Sequence, residues 1–237
     1  MLGTMLFCKR IAVPALPVLL LVSLFLTSCA GLQPGREAAA LPEEWAGREE
    51  AVARRQQALV KAANGLLGRE ELVVRGRRFN MDCTGVVLAV YYSAGLDLSR
   101  EFDRYSGNGV TRLYKSLEAR ELLYRTRDPA PGDIIFWDNT YDRNGDGLWN
   151  DTLTHTGMVV NTHTDGRVEY IHMNYRRGII LETMNLHNPD AHQDTRLGRV
   201  TIVNSPMRMK EAGSPHPDKW LASQLYRIFG KGYLTGS

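Results

Sequence analysis

Cys83 and His155 are the residues of this 237-residue chain whose types and settings best fit nucleophilic catalysis. Cys83 follows Asp82 and opens the run Cys83, Val86, Val87, Val90, Ala94, spaced as one face of a helix that ends before Gly95. First-turn N–H groups and the helix dipole favour a thiolate at that position. A thiol nucleophile also needs a base that hands its proton to the leaving group, most often His. His155 begins His155-Thr156-Gly157-Met158-Val159-Val160, which reads as a strand, and Asp165-Gly166 supplies a hairpin turn to a second strand, Val168 to Met173. With those two turn residues, Val159 faces His172 and Gly157 faces Asn174. His155, Gly157, Val159, His172 and Asn174 then share one sheet face, because opposed and alternate residues do. A second polar residue is thereby within reach of the His155 ring, as a Cys–His–X arrangement requires.

Between these strands and the one before lies a second cluster. Asp142-Arg143-Asn144-Gly145-Asp146-Gly147-Leu148-Trp149-Asn150-Asp151 matches the first nine positions of an EF-hand-type loop. The expected calcium ligands are Asp142, Asn144, Asp146, the Leu148 carbonyl and Asn150. Position twelve is Leu153 instead of Glu, so Asp151 is the substitute for the missing bidentate ligand. Structural calcium is the only cofactor expected, and catalysis needs none.

The elements that must position these residues are those of an ordinary globular chain, 43% hydrophobic and 23% charged, which excludes disordered, collagen-like and disulfide-scaffold classes. The net charge of +3 makes no case for a nucleic-acid partner. From Glu43 to about Leu67, Trp45, Val52, Leu59 and Leu66 recur every seven residues, giving a narrow apolar helical stripe. Arg75-Gly76-Arg77-Arg78 reads as a solvated loop. After Pro129 the period becomes that of strands: 133–137, 157–160, 168–173, 178–182 and 199–203. Pro217 to Phe229 reads as a short amphipathic helix. Helices first and an antiparallel meander of about five strands second predict an α+β fold. His163, His187, His192 and His216 sit near turns or in polar stretches and read as surface.

The N-terminus reads as an address. Lys9 and Arg10 precede an apolar run from Ile11 to Leu26, too short to span a bilayer and flanked as a secretory signal is. Leu26-Thr27-Ser28-Cys29 looks like a bacterial lipobox, which makes Cys29 the lipidated first residue of a 209-residue mature chain. Ala30, where an inner-membrane signal would have Asp, points to the outer membrane facing the periplasm if the host is Gram-negative. The expected organisation is signal peptide 1–28, tether 29–42, helical appendage 43–70 and main domain 71–237. Removal of Cys8 and lipidation of Cys29 leave Cys83 as the one free thiol of an exported protein.

Four ordered motifs resemble the NlpC-type cell-wall peptidases, a papain-like group: Asp82-Cys83-Thr84-Gly85, Pro131-Gly132-Asp133-Ile134-Ile135-Phe136, His155-Thr156-Gly157-Met158-Val159 and Tyr170-Ile171-His172. The resemblance covers roughly Arg75 to Val203. It implies Cys83 as nucleophile, His155 as base and His172 as orienting residue. Thr84 replaces the usual Ser, and the aromatic-Gly-Gly stretch before the Cys is missing. The stretch from His155 to His172 is long for that group, so Asn174 is a rival third residue. The related cysteine- and histidine-dependent amidohydrolases/peptidases often use a carboxamide or acid there. The resemblance implies cleavage of peptidoglycan amide bonds through a thioacyl intermediate, with a peptidoglycan peptide as substrate, and the lipobox makes the expected enzyme a membrane-anchored lipoprotein of the cell envelope. The alternative is a non-catalytic envelope binding or scaffold protein on the same fold.

Overall fold

The computed structural model describes residues 43–210, 213 and 215–235. The signal segment 1–28, Cys29 and the tether 29–42 lie outside the described residues. In chain order the elements are α1 (Glu43–Asn64), β1 (Leu72–Val74), β2 (Arg77–Phe79), α2 (Cys83–Ser93), α3 (Gly109–Glu118), β3 (Leu123–Tyr124), β4 (Ile134–Trp137), β5 (His155–Thr162), β6 (Arg167–Asn174), β7 (Gly178–Asn185), β8 (Gln193–Arg196), β9 (Arg199–Ile202), α4 (Ala222–Leu225) and β10 (Tyr226–Gly230). No helix among the described residues is long and apolar enough to cross a membrane.

The α+β architecture is built on a six-stranded antiparallel sheet, ordered β3-β10-β4-β5-β6-β7. Its strands alternate, so each contributes to two cores. Ile134, Phe136, Met158 and Ile171 face the helices, where Val86, Val87, Val90 and Leu113 are fully buried. Ile135, Trp137, Val159, Tyr170, Met184 and Phe229 face the other way, under Ala222 and Leu225 of α4. Helix α2 is apolar nearly all round because it is central, and each of its buried valines contributes roughly 1.5 kcal/mol or more. Helix α1 shares this core through Leu59 and Ala63, with Leu66 just beyond, so the apolar stripe is buried only at its C-terminal end. Trp45, which begins it, is 60% exposed.

Three expectations are corrected. Pro217 to Phe229 is not a helix: only Ala222–Leu225 is helical, and Tyr226–Gly230 is a strand inserted between β3 and β4. The Arg199 strand pairs with β8 in a separate two-stranded ribbon and is not part of the main sheet. Of Arg75-Gly76-Arg77-Arg78 only Arg75 and Gly76 form an exposed turn, both in the left-handed region that a two-residue hairpin of this hand requires, whereas Arg77 and Arg78 belong to β2.

The β5–β6 register also differs. Met158 pairs with Ile171 and Val159 with Tyr170, one residue of offset arising at the turn and another at a bulge between Val159 and Asn161. Two one-residue shifts in the same direction restore the parity. His155, Gly157, Val159, His172 and Asn174 therefore do share a face, although Gly157 lies against His172 and not Asn174.

Candidate active site

Helix α2 packs on one face of the sheet while His155 and His172 project from the other. They meet at the end of β5, where Cys83, His155 and His172 all open on one cavity of about 670 Å³. The Asp82 side chain accepts the Gly85 N–H at 2.7 Å and so caps the helix that carries Cys83. Gly85 is obligatory there, since a Cβ would sit 1.9 Å from the Asn80 carbonyl oxygen. The Cys83 thiol accepts the backbone N–H of Thr156, the residue after the proposed base.

His155 is aimed by its surroundings. Just upstream, Leu153 is in the left-handed region (φ 53°), held by its N–H donating to Asp138 Oδ1 at 2.7 Å, and the Thr154 N–H donates to the Trp137 carbonyl at 2.9 Å. The His155 ring lies against Trp137, with centroids 5.7 Å apart. Its Nε2 is 2.9 Å from His172 Nδ1. His172 is buried, and its Nε2 lies 3.0 Å from Glu182 Oε2, though bent away from hydrogen-bond geometry. Arg177 pairs with the other Glu182 oxygen. The β6–β7 register opposes Tyr170 to Glu182 and His172 to Ile180, which puts Glu182 diagonally beside His172 on the same face.

This order fixes tautomers. A carboxylate beside His172 Nε2 keeps the proton on that nitrogen, so the neutral ring accepts at Nδ1. His155 must then donate from Nε2, which leaves its Nδ1 lone pair as the basic site. Gly157 makes room for the chain of groups: a Cβ there would lie 2.8 Å from the Ile171 carbonyl oxygen and 3.2 Å from His172 Cβ. The glycine of the His-x-Gly motif is thus a packing requirement of the second histidine.

Electrostatics oppose one sequence expectation. Burial, and secondarily the Asp82 carboxylate, push the Cys83 thiol up from 9.0 to about 11, overriding the pull of the helix N-terminus. Burial, then the neighbouring His172, hold His155 well below the usual imidazole value. The pair rests as neutral thiol and neutral imidazole.

Residues 74–174 match the family described as the CHAP domain, a papain-like cysteine- and histidine-dependent amidohydrolase/peptidase domain. This stretch is similar to CHAP domains. The match is to that group and not specifically to NlpC-type peptidases. CHAP domains are generally hydrolases that act on peptidoglycan. No curated protein and no solved structure gives a match to the chain.

The fold brings Cys83, His155 and His172 together but gives Asn174 another task. Asn174 Oδ1 accepts the N–H groups of Arg176 and Arg177 at 3.0 and 3.1 Å, holding the β6–β7 turn, and its Nδ2 donates to Glu182 at 3.4 Å. Glu182 was not among the expected site residues. Its signal is an acid closing the apolar strand Gly178 to Glu182, on the face a hairpin register assigns to His172. His216, read as surface, lines the cavity and stacks on Trp220 at 3.8 Å.

The 142–151 loop closes on itself. Asp142 accepts the N–H groups of Gly145 and Gly147, and Asp146 accepts those of Leu148, Asn144 Nδ2 and Asn150 Nδ2, all within 2.9 Å. Asp151 is withdrawn from the expected ligand set: it is buried, and its Oδ2 accepts the Arg143 N–H at 2.9 Å. Among the described residues no group of three His, Cys, Asp or Glu side chains is arranged to hold a metal ion.

Because the Asp82 carboxylate raises the Cys83 thiol, Asp82→Asn removes that charge yet keeps a good cap. Its alkylation by iodoacetamide at pH 8 is expected to be several-fold faster than in the wild type, with a lower midpoint in the rate–pH profile. An unchanged midpoint would show that burial alone sets the thiol.

Proposed function

We propose that the protein is an exported, lipid-anchored cysteine hydrolase that cleaves an amide bond in the peptide portion of peptidoglycan. The observation that carries this reading is the 2.9 Å contact of His155 with His172 at the mouth of the cavity that holds Cys83. His155 Nδ1 takes the Cys83 proton as the sulfur attacks the amide carbon. The tetrahedral intermediate collapses, the C–N bond breaks, and the imidazolium returns the proton to the departing amine. Water, deprotonated by the same nitrogen, then attacks the thioester and releases the acid and the Cys83 thiol. His172 keeps the base in its reactive tautomer, and Glu182 stabilises the charge that reaches the imidazole pair, as the orienting carboxylate of a triad does.

Purified protein incubated with peptidoglycan sacculi is expected to release peptide-bearing fragments detectable by mass spectrometry. Cys83→Ala and His155→Ala should lose roughly a thousandfold or more, with cooperative melting retained, and His172→Ala about a hundredfold. Because His155 is held below its usual value, kcat/KM should stay level as pH falls through 6.5 and drop only in more acidic buffer. Substantial turnover by pure Cys83→Ala protein would overturn the mechanism.

Anchoring rests on the Leu26 to Cys29 motif after an apolar run. Cys29→Ser should move the protein from the membrane to the soluble fraction. An unlipidated mature N-terminus elsewhere would contradict it.

Calcium is proposed for the loop with a reduced set, Asp142, Asn144, Asp146, Asn150 and the Leu148 carbonyl. With two carboxylates, affinity belongs at the weak end, on the order of 10⁻⁴ M or poorer. Calcium should raise the melting temperature of the wild type but not of Asp146→Ala; calorimetry silent at millimolar calcium would exclude it.

A further inference from the structure

The cleft around Cys83 is unevenly charged. Arg176, Arg177, Arg208 and Lys210 line it, against the single acid Asp82. Asp82, Arg177 and Arg208 have structural contacts of their own. Asp82 caps α2, Arg177 pairs with Glu182, and Arg208 donates to the Asn139 carbonyl at 2.6 Å while lying 4.4 Å above the Trp149 ring. Arg176 differs. It is exposed at the rim, its backbone N–H is fixed by Asn174 Oδ1, and its guanidinium lies 5.1 Å over the Tyr175 ring with no ion pair among the described residues. Lys210 lines the same cleft beside His216, and its charge adds to burial in holding that imidazole below the usual value.

We propose that Arg176 is a specificity-determining residue that binds a free carboxylate of the substrate peptide close to the scissile amide. The proposal rests on the amide-hydrolase reading above and names the substrate class for that site. A planar guanidinium presents paired N–H donors that match the two oxygens of a carboxylate, and an aromatic ring beneath it restricts its orientation. Asn174 ties that residue to β6, only four positions beyond His172, so the anionic group and the reacting bond are read by one strand end. A neutral peptide would leave the cationic rim without a counter-charge as the substrate excludes water, which disfavours its binding.

Full-length protein tests this with native sacculi and with sacculi whose peptide carboxylates have been converted to carboxamides by carbodiimide and ammonium, a treatment that leaves phosphates intact. The wild type should need about tenfold more amidated than native material for half-saturation, with kcat changed by less than about twofold. Arg176→Gln should show the same loss on native sacculi and no further loss on amidated ones. Arg69→Gln, which removes an exposed arginine in the loop between α1 and β1, should behave as the wild type. Equal half-saturation of the wild type on both materials, persistent discrimination by Arg176→Gln, or an equal loss in Arg69→Gln would overturn the proposal. Sedimentation of Cys83→Ala protein with the two materials reads binding apart from cleavage. If the wild type cleaves neither, the hydrolase reading fails, while tighter binding of Cys83→Ala to native than to amidated sacculi, abolished by adding Arg176→Gln, still supports the carboxylate site and its absence still refutes it.

Discussion

Two imidazoles in direct contact, with a buried carboxylate behind them, are the constraint on which the rest of this fold depends. Polar groups removed from water must find partners, and in a low-dielectric setting the order of those partners fixes where each proton resides. Glu182 beside His172, and His172 beside His155, leave one basic lone pair at the cavity mouth. The β5–β6–β7 meander supplies the three side chains from adjacent strands on one face, so their separation is set by sheet geometry. Gly157, Trp137 and Tyr170 shape the space in which the rings lie.

The nucleophile arrives from the opposite side. Helix α2 is buried against the other face of the sheet, and only its first turn reaches the strand ends where His155 lies. This divides stability from chemistry: Val86, Val87 and Val90 anchor the helix in the core, while Cys83 at its tip packs at the edge of that core and opens on the cavity. A thiol held near 11 is mostly protonated at neutral pH. It resists oxidation and alkylation at rest, and it becomes nucleophilic as His155 removes its proton against a bound substrate. In the proposed reading, Arg176 at the rim gives an anionic substrate a charge complement before the chemistry begins.

Local pattern made much of this visible. The Asp82 cap and the apolar spacing after Cys83 located α2 to within a residue or two, because both signals are short-range. The shared face of His155 and His172 was readable despite an incorrect register, since parity survives a shift of two. What pattern could not supply depends on distant pairing. Residues 226–230 carry apolar spacing that suits a helix as well as a strand, and only β4, nearly ninety residues earlier, decides between them. Glu182 looked like the polar end of a strand until β6 lay beside it. Asp151 fitted a ligand template by sequence position, yet its side chain is buried and accepts the Arg143 N–H.

The central claim is that the buried pair keeps His155 neutral, protonated at Nε2 and basic at Nδ1. Nitrogen-15 NMR of the histidine rings across pH 5 to 8 reads both charge and tautomer. The account predicts a neutral Nε2–H ring for His155 at pH 7, with its titration midpoint below 6.5. A doubly protonated His155 ring at pH 7, or a neutral ring carrying its proton on Nδ1, would contradict it.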